Sequence, residues 1–287
     1  MTSDPINWHS GKLYSWNASS IPAGYRQGDG VFETIRTYFG KPFRLEDHVI
    51  RLLSGARAIG LRDLPEHETI LDAIESTLEE NRSGIIEGEW IIRPTFFSDG
   101  SGWGFVVPVE SWKPPAAMGE NNPISVGISS YVHPGRCLIP PSAGCQIKWL
   151  SRGPLAHALR DARERGWEEA LLLDSDNMVI EGTRSNIIVL EEKSLISPGV
   201  RSGGFPGITR DVVAVLAQRR SMEIIDRPVS LQEILNSKGL LITSSLLGIA
   251  PVKTLVIGHK AYEKPLDEIS GFLISDFEHE VTRECQS

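Results

Sequence analysis

EALLLDSDNMVIEGTRSNI, residues 169–187, decides how the second half of the chain folds. EALLLD is a short apolar run, and Ser175-Asp176-Asn177 are residues that favour a tight turn. The spacing predicts a strand, a hairpin turn and a second strand, MVIEGTRSNIIVL (178–190), in which Glu181 ends an apolar run and meets a glycine.

Upstream, a helix is expected from Pro154, whose missing N–H is harmless in a first turn. Leu155, Ala158, Leu159 and Ala162 form its apolar stripe, Arg160/Glu164 and Asp161/Arg165 pair across a turn, and Gly166 stops it. Before it lie the strand ISVGISSYV and a Pro/Gly-rich loop that ends in CQIKWLSR. Downstream, a helix starts near Thr209 after SGGFPGITRD, and GLLITSS is a short buried strand.

The first half has a different texture. Val49, Leu52, Leu53, Ala56 and Ile59 recur at helical steps over Asp47–Gly60, and Ile70, Leu71, Ile74 and Leu78 do so over Pro65–Asn81. The β-rich pieces VFETIRTYF and EWIIRPTFF precede and follow these helices, an α+β pattern. ESWKPPAAMGENNP has no period and marks a boundary. The expected units are 1–113, a linker at 114–124, and 125–287, the last a pseudo-barrel or folded mixed sheet rather than βαβ repeats.

Composition narrows the class. The 287 residues carry 29 Lys plus Arg against 37 Asp plus Glu, a formal charge of −8, which disfavours general binding to nucleic-acid phosphates. No apolar run approaches the ~20 residues that span a bilayer. The start lacks signal-peptide design, and three cysteines argue against a disulfide framework, so a cytoplasmic protein is expected. HExxH, CxxC, the phosphate-loop and dinucleotide glycine patterns and GxSxG do not occur, which leaves a metal site with weak support and takes most of the weight from kinase, dehydrogenase and hydrolase readings.

Three features carry chemistry. Gly207-Ile208-Thr209 opens a helix whose amides make a phosphate seat, against ordinary capping by Thr209. Arg51 lies beside Leu52 and Leu53, where its planar fork suits a phosphate, although such an arginine often only snorkels to water. Lys148 sits between an apolar residue and an aromatic one, where lost water would make it a Schiff-base nucleophile. Glu181, at a strand end, is placed to hold a protonated ring nitrogen. Taken singly, each has a plain structural explanation: a surface lysine, a solvated carboxylate.

In order along the chain, GDGVFETIR (28–36), HVIRL (48–52), IK (147–148) with LSR after it, EALLLDSDNMVIEGTRSNI, PGITRD (206–211) and ITSSLLGIAPV (242–252) resemble the class IV aminotransferases. These are the pyridoxal-phosphate enzymes of fold type IV. The resemblance implies a smaller N-terminal α/β sandwich, a larger C-terminal pseudo-barrel, and amino transfer from an amino acid to a 2-oxo acid. Lys148 would hold the cofactor aldehyde as a Schiff base and shuttle the α-proton. Glu181 would pair with the pyridine nitrogen. Arg51, the Ile208 and Thr209 amides, Ser244 and Ser245 would grip the phosphate. It further implies a homodimer with shared active sites.

Substrate residues are expected around the same site. Arg93, in the apolar segment IIRP (91–94), is similar to an arginine that organises the carboxylate end of the site in branched-chain amino-acid aminotransferases; the alternative is a buried ion pair. Phe32 would line the pocket, and GSGWG (100–104) would present Trp103 as a lid. Arg26 and Arg184 are candidates for a second carboxylate. Ser244-Ser245-Leu246-Leu247-Gly248 departs from the Gly-Thr-Ala-Ala-type turn of the branched-chain enzymes, and with LSR is more similar to aminodeoxychorismate lyases and some D-amino-acid transaminases. Leu246 thereby joins the substrate candidates. The rival readings are the lyase reaction, giving 4-aminobenzoate and pyruvate, and a cofactor-binding protein without catalysis.

Overall fold

A computed structural model describes residues 6–9, 11–15, 23–82, 89–99, 102–113, 123–133 and 147–286. Most of the expected 114–124 linker, Gly100, Cys137 and Cys145 lie outside them. The chain forms two compact units. The first comprises Met1–Lys113, Ile147–Arg152 and Val281–Ser287, and the second comprises Pro114–Gln146 and Gly153–Glu280. The chain therefore returns to the first unit at 147–152 and at its end, where a division at one connector assigns both stretches to the second.

The first unit opens with β1 (Ile6–His9), β2 (Lys12–Ser15) and the short α1 (Ala23–Gln27). VFETIRTYF is two strands, β3 (Gly30–Phe32) and β4 (Ile35–Tyr38), followed by β5 (Lys41–Pro42). The break falls at Glu33-Thr34, because the Phe32 N–H donates to the Lys148 carbonyl and the Glu33 N–H to that of Pro94. Helix α2 (Leu45–Ala58) buries Val49, Leu52, Leu53 and Ala56. Gly60, at φ 93°, ends the turn beyond it. Helix α3 (His67–Asn81) buries Ile70 and Ile74 with Ala73 and Thr77 rather than Leu71 and Leu78.

EWIIRPTFF is likewise two strands, β6 (Glu89–Ile92) and β7 (Thr95–Ser98), parted at Arg93-Pro94, where proline cannot donate to a ladder. Then come β8 (Trp103–Val107) and β9 (Val109–Trp112). The sheets run β2-β1-β8-β7-β3 and β5-β4-β6-β9.

The second unit holds β10 (Ile124–Val132), α4 (Gly153–Glu164), β11 (Glu169–Leu173), β12 (Met178–Gly182), β13 (Asn186–Leu190) and β14 (Ser194–Ile196). Helix α5 (Ile208–Arg219) follows, then β15 (Glu223–Ile225), β16 (Val229–Ser230), α6 (Leu231–Asn236), β17 (Gly239–Ser244), β18 (Gly248–Ile257) and β19 (Lys260–Glu263). The last helix, α7, spans Glu268–Cys285.

One mixed sheet orders β15-β14-β13-β17-β18-β10-β11-β12-β16, with β19 on β18. Strand β10 runs parallel to both β11 and β18, and β14 to β15, among antiparallel pairs, so the sheet is mixed as expected. Yet β10-α4-β11 and β14-α5-β15 are parallel pairs joined through a helix, βαβ units that the expectation left out. Ile124, Val126, Leu171, Val179, Ile187, Ile242 and Val252 form its core. The predicted hairpin is present: the Asn177 N–H donates to the Asp174 carbonyl, and Asn177 takes φ 60°. Asp161 and Arg165 form the expected pair on α4.

Candidate active site

Lys148 is fixed by its backbone. Around it, the Leu150 N–H donates to the Gly30 carbonyl, Ser151 Oγ donates to the Gly28 carbonyl at 2.6 Å, and Val31 bridges Trp149. This stitching needs the glycines of GDGVF. A Cβ on Gly30 would stand 2.2 Å from the Phe96 carbonyl and 2.8 Å from Leu150, and Gly28 takes φ 73°.

Glu33, at the β3/β4 break, is 1% exposed. Arg51 donates to it twice, Nε to Oε1 at 2.6 Å and Nη2 to Oε2 at 2.7 Å. Nδ1 of His48 lies 2.9 Å from Oε2. His48 and Arg51 share one face of α2, three residues apart, which lets both reach a single carboxylate. Burial alone would raise the Glu33 carboxyl, but the Arg51 guanidinium and His48 outweigh it and hold the group well below the usual carboxylate range. Burial pushes His48 down against the pull of Glu33.

Lys148 belongs to the same cluster. Part of the residue remains accessible, yet loss of water around its ammonium is the largest cause that brings its pKa down to about 7. Glu33 opposes that fall, and Arg51, Arg152 and Arg93 add to it. Its Nζ lies 5.5 Å from the Phe32 ring centre, and the Arg152 guanidinium carbon lies 5.7 Å from that centre. Arg93, half-buried at the β6/β7 break, donates to Thr34 Oγ1 at 3.1 Å and pairs with Glu110 at 3.3 Å. The chemistry is that of a partly buried amine whose pKa is brought down among guanidinia.

In the second unit, Glu181 on β12 accepts the Phe205 N–H at 2.8 Å, and His133 Nε2 stands 3.1 Å from its other oxygen. Asn186 donates to the Phe205 carbonyl at 2.7 Å, so Phe205 is held from both sides two residues before Gly207 caps α5. No side chain caps that helix, and its first turn begins with Ile208 and the buried Thr209. Ser244, Ser245 and Leu246 lie in the β17–β18 turn, where Ser244 Oγ accepts the Leu247 N–H. Among the described residues Thr243 Oγ1 is buried with no hydrogen-bond partner, and Thr243 pairs with Asn186 across β13 and β17.

The expected strand 178–190 is broken at Thr183–Ser185 by Glu169. Its buried carboxylate accepts from the N–H groups of Ala170, Thr183 and Arg184 and from the hydroxyls of Thr183 and Ser185. Arg184 itself is exposed, as is Arg26 on α1. Trp103 packs edge-on against Phe96 and donates its indole N–H to the Asp63 carbonyl at 3.1 Å.

Glu33, His48, His133 and Glu169 were not singled out from sequence. The first two had a signal: a glutamate inside the apolar run VFETI, and His and Arg three apart in HVIRL. Among the described residues no cluster of His, Cys, Asp and Glu could hold a metal, and no helix is long and apolar enough to cross a membrane.

Residues 30–255 match the family amino-transferase class IV. The chain is 30% identical over 239 residues to the putative branched-chain-amino-acid aminotransferase of Methanocaldococcus jannaschii, covering 80% of this chain and 79% of that one. It is 24% identical to the branched-chain-amino-acid aminotransferase of Pseudomonas aeruginosa, over 87% of this chain and 84% of the relative. The fold is similar to that of the Escherichia coli branched-chain amino acid aminotransferase, with TM-score 0.85, 21% identity and 98% and 96% of the two chains covered. A hypothetical aminotransferase from Mycobacterium tuberculosis, in its PLP-bound form, gives TM-score 0.83 at 20% identity, over 97% of this chain and 99% of that one.

Proposed function

Since the chain belongs to the class IV aminotransferases, a family that in general depends on pyridoxal phosphate, we propose that it binds this cofactor through Lys148, Arg51 and Glu181 and transfers amino groups from apolar, branched-chain amino acids to 2-oxo acids. The observation that carries the reading is Lys148, an amine held near neutrality among guanidinia. The donor set suits the cofactor: an amine for its aldehyde, a guanidinium and an α-helix N-terminus for its phosphate, and a carboxylate for its ring nitrogen.

When bound, the cofactor supplies a ring that withdraws the electron pair left at the substrate Cα. Lys148 Nζ, its pKa brought down to about 7 by loss of water, would take the α-proton and later return it. The Glu181 carboxylate, held by the Phe205 N–H with His133 beside it, would be the group that keeps the ring nitrogen protonated. The α5 N-terminus, Ser244, Ser245 and Arg51 are the groups that would hold the cofactor's phosphate. Arg93 would orient the substrate carboxylate, and Phe32, whose ring centre lies 5.5 Å from Lys148 Nζ, would line the site beside the amine. The name of the Methanocaldococcus jannaschii relative supports the substrate class. The reading also takes the protein as a homodimer, which light scattering would test.

The test is turnover. Protein loaded with pyridoxal phosphate is given L-leucine, L-isoleucine, L-valine, their D-forms and alanine, each with 2-oxoglutarate. Glutamate formed fastest from the branched L-donors is the expected result. No oxo acid from any donor would refute amino transfer, and preference for alanine or D-donors would refute the substrate class.

A further inference from the structure

Two parts of the proposed site converge on Phe205. Its N–H donates to Glu181 Oε2 at 2.8 Å, and its carbonyl accepts from Asn186 Nδ2 at 2.7 Å. Pro206 follows, which favours extended backbone at Phe205, locks its own φ and brings no N–H that could bond elsewhere. Gly207 then caps α5. Residues 205–207 are thus a short, stiff strut from the Glu181 carboxylate to the first turn of that helix. Asn186 braces it at two points. The residue opens β13, is 4% exposed, and is set in register by Thr243 on β17. Its Nδ2 holds the Phe205 carbonyl, and its Oδ1 fills the space of a Gly207 side chain, 1.8 Å from where a Cβ would stand.

From this geometry we propose that Asn186 is a positioning residue: by bracing residues 205–207 it fixes the distance between the Glu181 carboxylate and the α5 N-terminus. The cofactor carries its ring nitrogen and its phosphate on one compact molecule, so the groups that would meet them must be held at one separation. A drift in that separation leaves one end poorly met. Without Asn186 the Phe205 carbonyl loses this donor and Gly207 gains room, so the strut acquires freedom that cofactor binding must remove again. The inference rests on the proposal that the protein binds pyridoxal phosphate.

The phosphate-dependent part of binding reads one end of the strut. Dissociation constants of pyridoxal and pyridoxal 5'-phosphate are measured on the whole chain by absorbance, and their ratio reports what the phosphate adds. Asn186→Ala adds no charge and is expected to lower that ratio roughly three- to tenfold, the worth of about one hydrogen bond. Turnover reads the other end. In a Glu181→Gln background Asn186→Ala should slow turnover further by much less than it does alone, because its effect passes through that carboxylate. Ile187→Val, one residue along β13 in the buried core, is the control for general softening: it lowers stability without touching Phe205 and should leave the ratio as in wild type. An unchanged ratio in Asn186→Ala, an equal fall in Ile187→Val, or fully additive losses with Glu181→Gln overturns the inference.

Should Asn186→Ala fail to fold, Pro206→Ala unlocks the middle of the strut at a half-buried position and leaves both bonds to Phe205 in place. A lowered ratio there supports the proposal, and an unchanged one sinks it. A wild-type protein that binds pyridoxal phosphate no better than pyridoxal refutes the cofactor reading itself. A clear wild-type preference with unmoved variants refutes only the role of Asn186.

Discussion

The backbone N–H of Phe32 donates to the carbonyl of Lys148 at 3.0 Å, so the candidate Schiff-base lysine hangs from the strand that begins the first unit's glycine motif. The same stretch puts the Phe32 ring beneath the amine. The lysine's environment is thus set by residues far from it in sequence, and its protonation is the most direct property to measure.

Condensation of the cofactor-free protein with pyridoxal is expected to rise through a midpoint near pH 7, the value to which Lys148 is brought down, and to level off above it. An ordinary lysine would keep climbing toward 10.5. Lys148→Ala should abolish the near-visible absorbance formed on reconstitution, together with all amino transfer. The shift has a stability counterpart. The folded pKa lies below the unfolded one, so the cost of burying the charge is complete below pH 7 and is relieved as pH rises from about 7 toward 10.5. Lys148→Met should therefore melt higher than wild type at pH 6, with the gap closing toward pH 10.

Glu181→Gln keeps the bond from the Phe205 N–H but removes the charge proposed to face the ring nitrogen. Turnover should fall on the order of 10²-fold or more, the scale of losing preorganised charge stabilisation, while cofactor affinity changes little. Equilibrium dialysis and single-turnover absorbance separate the two quantities. Unchanged turnover would contradict the assignment.

Glu169 gathers the backbone and hydroxyls of Thr183–Ser185 on one buried carboxylate. Glu169→Gln turns an amide toward donors and leaves some of them without an acceptor. It should lower stability in urea melts by about 2–4 kcal/mol. Loosening the segment after Glu181 should also reduce kcat more than KM.

Gly207 takes φ/ψ open to any residue, so its requirement for glycine is one of space. A Cβ there would stand 1.8 Å from Oδ1 of Asn186, which holds the Phe205 carbonyl. Gly207→Ala is expected to cost about 1–3 kcal/mol of stability and to weaken pyridoxal phosphate binding by disturbing the first turn of α5. Adding Asn186→Ala should cost less than the sum of the two single changes.

The helices were legible in the sequence because their apolar period is local: α2 buries Val49, Leu52, Leu53 and Ala56 as spaced. So was the 174–178 turn. The strand breaks were not, because their causes are remote. Glu33-Thr34 is set by the carbonyls of Lys148 and Pro94, Arg93 by the Pro108 carbonyl, and Thr183–Ser185 by the Glu169 carboxylate. Lys148, Arg51 and Glu181 could be picked out by type and order. Glu33 and His48 carried only a hint, a glutamate in an apolar run and a histidine three residues from an arginine. Their meeting was not legible, because nothing in the linear chain says which buried carboxylate that arginine will reach.

Strand β3 closes one side of its sheet, and residues 147–150 lie against its outer rim. A polypeptide cut at residue 113 would keep every strand of both first-unit sheets, yet leave Gly30 and Phe32 with backbone groups facing water along a bare rim. Such rims recruit other chains. The segment that carries Lys148 thereby covers this edge, and a polypeptide lacking it is expected to associate through β3.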